Sequence, residues 1–118
     1  MDEDELKDRT KKFGLRVLKL VDSLPKTIAG RAIGGQLVRS GTGVGANYRA
    51  ACRGRSKAEF VAKLGNVEEE ADESAYWLEM IIDGNLLSRE LCTPLLKEAN
   101  ELTAIFTASI KTARRPGA

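Results

Sequence analysis

SKAEFVAKLGNVEEEADESAYWLEMII (Ser56–Ile82) is the stretch that decides the fold. Phe60, Leu64, Val67, Ala71, Ser74, Leu78 and Ile81 recur at alternating spacings of four and three. That period places them on one face of a helix, three heptads long, with Trp77 and Ile82 widening the stripe. Ser56 stands three residues before Glu59, a capping-box pattern: the serine oxygen accepts from the amide three residues on, and the glutamate reaches back. No proline interrupts the run, which predicts a helix over about 57–87.

Working upstream, Arg53-Gly54-Arg55 reads as a turn, and a second helix is predicted over about 28–52. Its stripe is Ile33, Leu37, Ser40, Val44, Asn47 and Ala51. Gly30, Gly34, Gly35, Gly41, Gly43 and Gly45 lie in it, each worth about 1 kcal/mol less than alanine in a helix interior. Pairs four apart, Gly30/Gly34 and Gly41/Gly45, bare one side of the helix so that another backbone can approach. Before it, Leu6, Thr10, Phe13, Val17, Leu20 and Leu24 mark a first helix over about 4–24, stopped by Pro25. Downstream, Thr93 as cap and Pro94 as first residue open a fourth helix over about 94–114. Its stripe is Leu95, Ala99, Leu102, Phe106, Ser109 and Ala113, and residues 115–118 form a frayed basic tail.

Four helices of similar length on short links predict one all-α domain over 1–118, an up-and-down antiparallel four-helix bundle. Leu15, Leu18, Val38, Val61, Trp77 and Leu96 are apolar beyond what one core needs. A surplus apolar face points to a homo-oligomer; the alternative is that these side chains widen the core.

The chain contains no histidine. That excludes Ser-His-Asp and Cys-His nucleophiles and the Glu-x-x-His ligands of di-iron bundles. Gly41-Thr42-Gly43-Val44-Gly45 has neither the glycine spacing of a dinucleotide fingerprint nor the Gly-Lys-Ser/Thr end of a Walker loop. Glu68, Glu69, Glu70, Asp72 and Glu73 read as a solvated acidic face. No enzyme activity, metal or cofactor is expected. Cys52 and Cys92 lack ligand spacing and read as free thiols. The acidic start Met1-Asp2-Glu3-Asp4-Glu5 is not a secretory signal, and no apolar run is long enough to span a membrane, so a cytoplasmic protein with no membrane partner is expected.

The net charge of +2 conceals a strong segregation. From Ser23 to Ala58 there are seven basic residues and no acid; from Glu59 to Glu90 there are nine acids against Lys63 and Arg89. Arg39, Arg49, Arg53, Arg55 and Lys57 are the candidate nucleic-acid contacts. They either present a positive surface to phosphates or pair with the acidic third helix, with Glu69, Glu70 and Glu73 in reach. Lys11, Lys12, Arg16 and Lys19 on the first helix, and Lys111, Arg114 and Arg115 at the C-terminal end, are placed to add to such a surface. Without interleaved aromatics, binding is expected to follow the RNA or DNA backbone rather than its sequence. Asn47 on an apolar stripe predicts a buried amide, and in an antiparallel bundle Thr10, Asn47 and Ser109 fall toward one end as a candidate polar layer fixing register.

Three segments carry a likeness to a known family: Arg39-Ser40-Gly41-Thr42-Gly43-Val44-Gly45-Ala46-Asn47-Tyr48-Arg49, Ser56–Leu64, and Glu69–Glu79. Over nearly the whole chain the sequence resembles the bacterial four-helix-bundle proteins first noticed in intervening sequences of 23S rRNA genes. The resemblance implies a cytoplasmic, ring-like homopentamer. A related branch, the accessory variability determinants of diversity-generating retroelements, implies nucleic acid and a reverse transcriptase as partners. Two positions depart from the family's pattern: Ala50 stands where a glutamate is usual, and Gly43 where a serine is usual.

Overall fold

The computed structural model describes residues 1–117. It contains α1 (Glu3–Val21), α2 (Ile28–Cys52), α3 (Lys57–Asp83) and α4 (Arg89–Ala113), and no strand among the described residues. The helices lie side by side in a rod of 50 × 20 × 20 Å. Neighbours in sequence are neighbours in space: α2 packs on α1 and α3, and α3 on α4, while α1 meets α4 along a thinner edge. That is the up-and-down order expected.

Each helix begins on a side-chain cap, which satisfies an amide the helix itself leaves unpaired. Asp2 Oδ1 accepts from the Glu5 amide at 2.8 Å, Thr27 Oγ1 from Gly30 at 3.1 Å, Ser56 Oγ from Glu59 at 3.1 Å and Ser88 Oγ from Leu91 at 3.3 Å. Glu3, Asp4 and Glu5 fill the first turn of α1, where the helix dipole favours negative charge. The capping box at Ser56 is half formed, because Glu59 turns its carboxylate to Lys63, 3.4 Å away.

Three boundaries differ from the expectation. α1 stops at Val21; Ser23 and Leu24 continue as a tight turn, with the Leu24 amide on the Val21 carbonyl at 3.1 Å, so that Leu24 stays buried although outside the helix. α3 stops at Asp83 rather than Leu87. Its end is a Schellman motif: the Leu86 amide reaches the Ile81 carbonyl at 2.9 Å and the Asn85 amide reaches Ile82 at 3.0 Å. Asn85 holds the left-handed conformation there (φ 57°), not the adjacent Gly84. α4 begins at Arg89, with Ser88 and not Thr93 as its cap, and Pro94 lies inside it. The extra turn buries Cys92 in line with Leu95, Ala99, Leu102 and Phe106. Of the tail, Arg115–Gly117 follow α4 as turns, and Ala118 lies outside the described residues.

The α1 stripe is buried throughout. The α2 stripe is rotated. Gly34, Gly41 and Tyr48 are buried, while Ile33 and Asn47 are only half-buried. The glycines are the cause. A Cβ on Gly41 would lie 2.7 Å from Val17 Cγ2, and one on Gly45 3.4 Å from Thr10. With those positions bare, α1 settles against the glycine side of α2 and draws the buried face toward it. At Gly30 the close neighbour is the Pro25 carbonyl, so the α1–α2 link folds back onto the first turn of α2. Tyr48 replaces Asn47 in the core, its ring 5.3 Å from that of Phe106.

Candidate nucleic-acid interface

The five cations singled out by sequence fall into three different environments. Arg39, midway along α2, is committed inside the chain. Its guanidinium lies 3.3 Å from Glu70 Oε2 and is also paired with Glu73 on α3. Trp77 Nε1 donates to the same Glu73 carboxylate at 3.0 Å, which holds it in place for Arg39. Pairing with the acidic third helix is therefore what Arg39 does; Glu69 takes no cation within 4 Å among the described residues.

Arg49 is exposed on the outer side of α2. It borders a groove of about 470 Å³ between α1 and α2, together with Lys7 and Lys11. Arg53, Arg55 and Lys57 are exposed in and after the α2–α3 turn. Among the described residues none of them has a carboxylate within 4 Å. The Lys57 Nζ donates to the Arg115 carbonyl at 3.1 Å, which brings the end of α4 to this turn. Lys57 and Arg114 line one shallow recess, and Arg114 borders a second with Lys111. One end of the rod thus gathers Arg53, Arg55, Lys57, Lys111, Arg114 and Arg115. The N-terminus of α3 opens at the same place, and its dipole adds to the positive potential. The acidic first turn of α1 is at this end too, near Tyr48 and Cys52, so that the end is positive on its α3–α4 side and negative on its α1 side.

The polar layer expected from Thr10, Asn47 and Ser109 does not form. Each bonds within its own helix: Thr10 Oγ1 to the Leu6 carbonyl at 2.8 Å, Asn47 Nδ2 to Gly43 at 2.8 Å, and Ser109 Oγ to Ile105 at 2.8 Å. A hydroxyl or amide that reaches its own carbonyl four residues back needs no partner across the bundle. The polar contact that does cross the core joins Ser40 and Ser74, both fully buried, at 2.9 Å between hydroxyl oxygens. Both serines were visible as stripe residues of their helices; what spacing alone did not give was their pairing.

Nothing in the sequence marks Arg9, yet it makes a two-point polar link between α1 and α4. Its Nε and Nη2 bond both oxygens of Glu98 on α4 at 2.8 and 2.7 Å, and Glu101 stands 3.3 Å from Nη2. Two-point pairing of this kind is stronger than a single ion contact. The hydrogen bond to Glu98 holds the Arg9 guanidinium above its ordinary pKa.

Burial raises the Cys92 thiol and, foremost among its causes, the Cys52 thiol, which makes both poorer nucleophiles. Burial, with Cys52 beside it, pushes the Tyr48 phenol up as well. Among the described residues no group of three or more Cys, Asp or Glu is placed to hold a metal ion. No helix is long and apolar enough to cross a membrane. Gly43 faces the Glu70 side chain, 3.3 Å from where its Cβ would be. A serine there would stand against the Glu70 carboxylate; in this chain Arg39 meets it instead.

The family described as 23S rRNA-intervening sequence protein matches residues 3–108. Among solved structures, the chain is similar to a protein of unknown function from the S23 ribosomal protein family of Bacteroides thetaiotaomicron. The two share 32% identity with a TM-score of 0.86, over 94% of this chain and 99% of the other. No curated protein matches.

Proposed function

The chain belongs to the 23S rRNA-intervening sequence protein family, and on that premise we propose that it is a non-catalytic, cytoplasmic adaptor that assembles with copies of itself, a pentamer being favoured, and binds the phosphate backbone of RNA or DNA. The single observation that carries this is the cationic end of the rod. Arg53, Arg55 and Lys57 have no carboxylate within 4 Å among the described residues and are joined there by Arg114 and Arg115. Uncompensated cations around a helix N-terminus are a footprint for phosphate, and nothing there offers a base-reading side chain pattern.

The test is fluorescence anisotropy with a labelled duplex RNA and a duplex DNA, titrated with salt. Affinity falls steeply with salt, by about 0.9 in log–log slope for each phosphate neutralised on duplex DNA. Arg53→Gln/Arg55→Gln lowers that slope by about 2 while the assembly, followed by sedimentation, is unchanged. No binding at low salt refutes the proposal. A second function has one observation in its favour, the exposed α3 carboxylates of Glu69, Asp72 and Glu79, which have no cation within 4 Å among the described residues: a protein–protein scaffold whose basic and acidic helices pair between subunits. Disassembly of the Arg53→Glu/Arg55→Glu variant with unchanged nucleic-acid binding favours that alternative.

A further inference from the structure

The outer side of α3 is acidic over its C-terminal half, from Glu69 to Asp83. Glu69, Asp72, Tyr76, Glu79 and Asp83 follow at three- and four-residue spacing and all are exposed, with Met80 beside them. Among the described residues none of these four carboxylates has a cation within 4 Å. Tyr76 and Met80 leave 53% and 39% of their surface in solvent and add apolar area to this side.

The α1–α2 groove is the opposite in charge. Leu15 and Leu18, 55% and 42% exposed, form its apolar side with Ala46, and Lys11 and Arg49 stand on its rim. Asp8 is the one acid on the rim, and Lys12 already holds it at 2.8 Å. Lys11 and Arg49 have no such partner among the described residues. Groove and stripe thus match in both respects: uncovered aliphatic surface against an uncovered tyrosine and methionine, and two free cations against a row of free carboxylates.

We infer that the α3 stripe of one copy seats in the α1–α2 groove of a second copy. This rests on the self-assembly proposed above and assigns the faces that carry it. α3 does not touch α1, so the two surfaces lie on different sides of the bundle. The contact is therefore head-to-tail, and each copy presents one groove and one stripe. Such a contact propagates until rotation closes it into a ring. It also divides the cations of α2: Arg39 is neutralised within the chain, Arg49 by the next copy, and Arg53 and Arg55 remain for phosphate.

Among the described residues Lys11, Arg49, Asp72 and Glu79 make no ion pair, so reversing them leaves each bundle folded. The experiment is sedimentation equilibrium on the wild type, on Lys11→Glu/Arg49→Glu, on Asp72→Lys/Glu79→Lys, and on the variant carrying all four changes, with circular dichroism confirming helix in each. The wild type sediments as an assembly, either pair of reversals gives a single chain, and the fourfold swap reassembles. A wild type that is monomeric at every concentration overturns this inference together with the self-assembly. Assembly of the wild type that survives reversal on either face, or a fourfold variant that stays monomeric, overturns the interface alone. So does loss of RNA binding by Lys11→Glu/Arg49→Glu at unchanged mass, which assigns the groove to nucleic acid.

Discussion

Replacing Gly41 with alanine probes the α1–α2 contact most directly, and Gly35 supplies its control. Both glycines lie inside α2, so both substitutions gain the same helix propensity, about 1 kcal/mol. Around Gly35 a new Cβ meets nothing within 4 Å. Around Gly41 it falls 2.7 and 2.9 Å from the two Val17 methyls and 3.1 Å from Val17 Cβ. Comfortable carbon–carbon separation is about 3.5–4.0 Å, so relief takes a displacement on the order of 1 Å. Val17 has little freedom to give it, since a β-branched side chain in a helix keeps one χ1 rotamer. The helices must part, and the fully buried Phe13 and Leu37 part with them. Overpacking of that kind costs about 1–3 kcal/mol. Gly35→Ala is therefore stabilising by about 1 kcal/mol, Gly41→Ala lies about 1–3 kcal/mol below it, and the propensity term cancels in the difference. Urea unfolding followed by circular dichroism at one low protein concentration measures both. If Gly41→Ala is as stable as Gly35→Ala, Val17 is not wedged against bare backbone and the account of the rotated α2 face is wrong.

Arg9→Met removes both bonds to Glu98 and leaves that carboxylate without its cation; a loss of about 1–2 kcal/mol is expected, with faster amide exchange in α1 than in α3. An unchanged urea midpoint refutes the role given to this pair. Ser40→Ala and Ser74→Ala each cost about 1 kcal/mol, and the double variant costs less than their sum, because the shared bond is lost once while each remaining hydroxyl keeps a carbonyl of its own helix, Glu70 at 2.8 Å for Ser74 and Leu37 at 3.4 Å for Ser40. Additive values in a double-mutant cycle argue against the shared bond. Cys52 and Cys92 bind their protons more tightly when folded than at the ordinary thiol value of 9.0. The unfolded chain thus releases them first, and the stability present below about pH 9 declines as pH rises through the folded values. A urea midpoint that is flat from pH 8 to 10.5, or a decline no shallower in Cys52→Ala/Cys92→Ala, contradicts this.

The core was legible wherever large apolar side chains set the period. Leu6 to Leu20 in α1 and Leu64 to Ile81 in α3 are buried as their spacing says. It was less legible in α2, because the spacing of large residues there omits the partner that matters most: Gly41 and Gly45 contribute no side chain, yet decide which face α1 covers. The α3–α4 link was misjudged for a related reason. Asn85 fills the left-handed position usually given to glycine, and the neighbouring Gly84 has ordinary geometry. Pro94 suggested a helix start, whereas the burial of Cys92 draws α4 one turn further back. At the candidate site the basic residues were visible, but their partners were not. Which arginines are neutralised depends on the rotation of α2 against α3, and that rotation again follows from the glycines.

The thin edge between α1 and α4 gives the rod a seam. Three helices form a consecutive sheaf, each laid along the last, while the first is fastened on one flank by glycine-bared backbone and on the other chiefly by a single guanidinium clasp. Thermal breathing of this molecule is accordingly lopsided: α1 peels from α4 while still hinged on α2, and the α2–α4 sheaf outlasts it. Whatever holds α1 down from outside, such as a sister helix lying across the groove, then closes the seam and stiffens the whole rod.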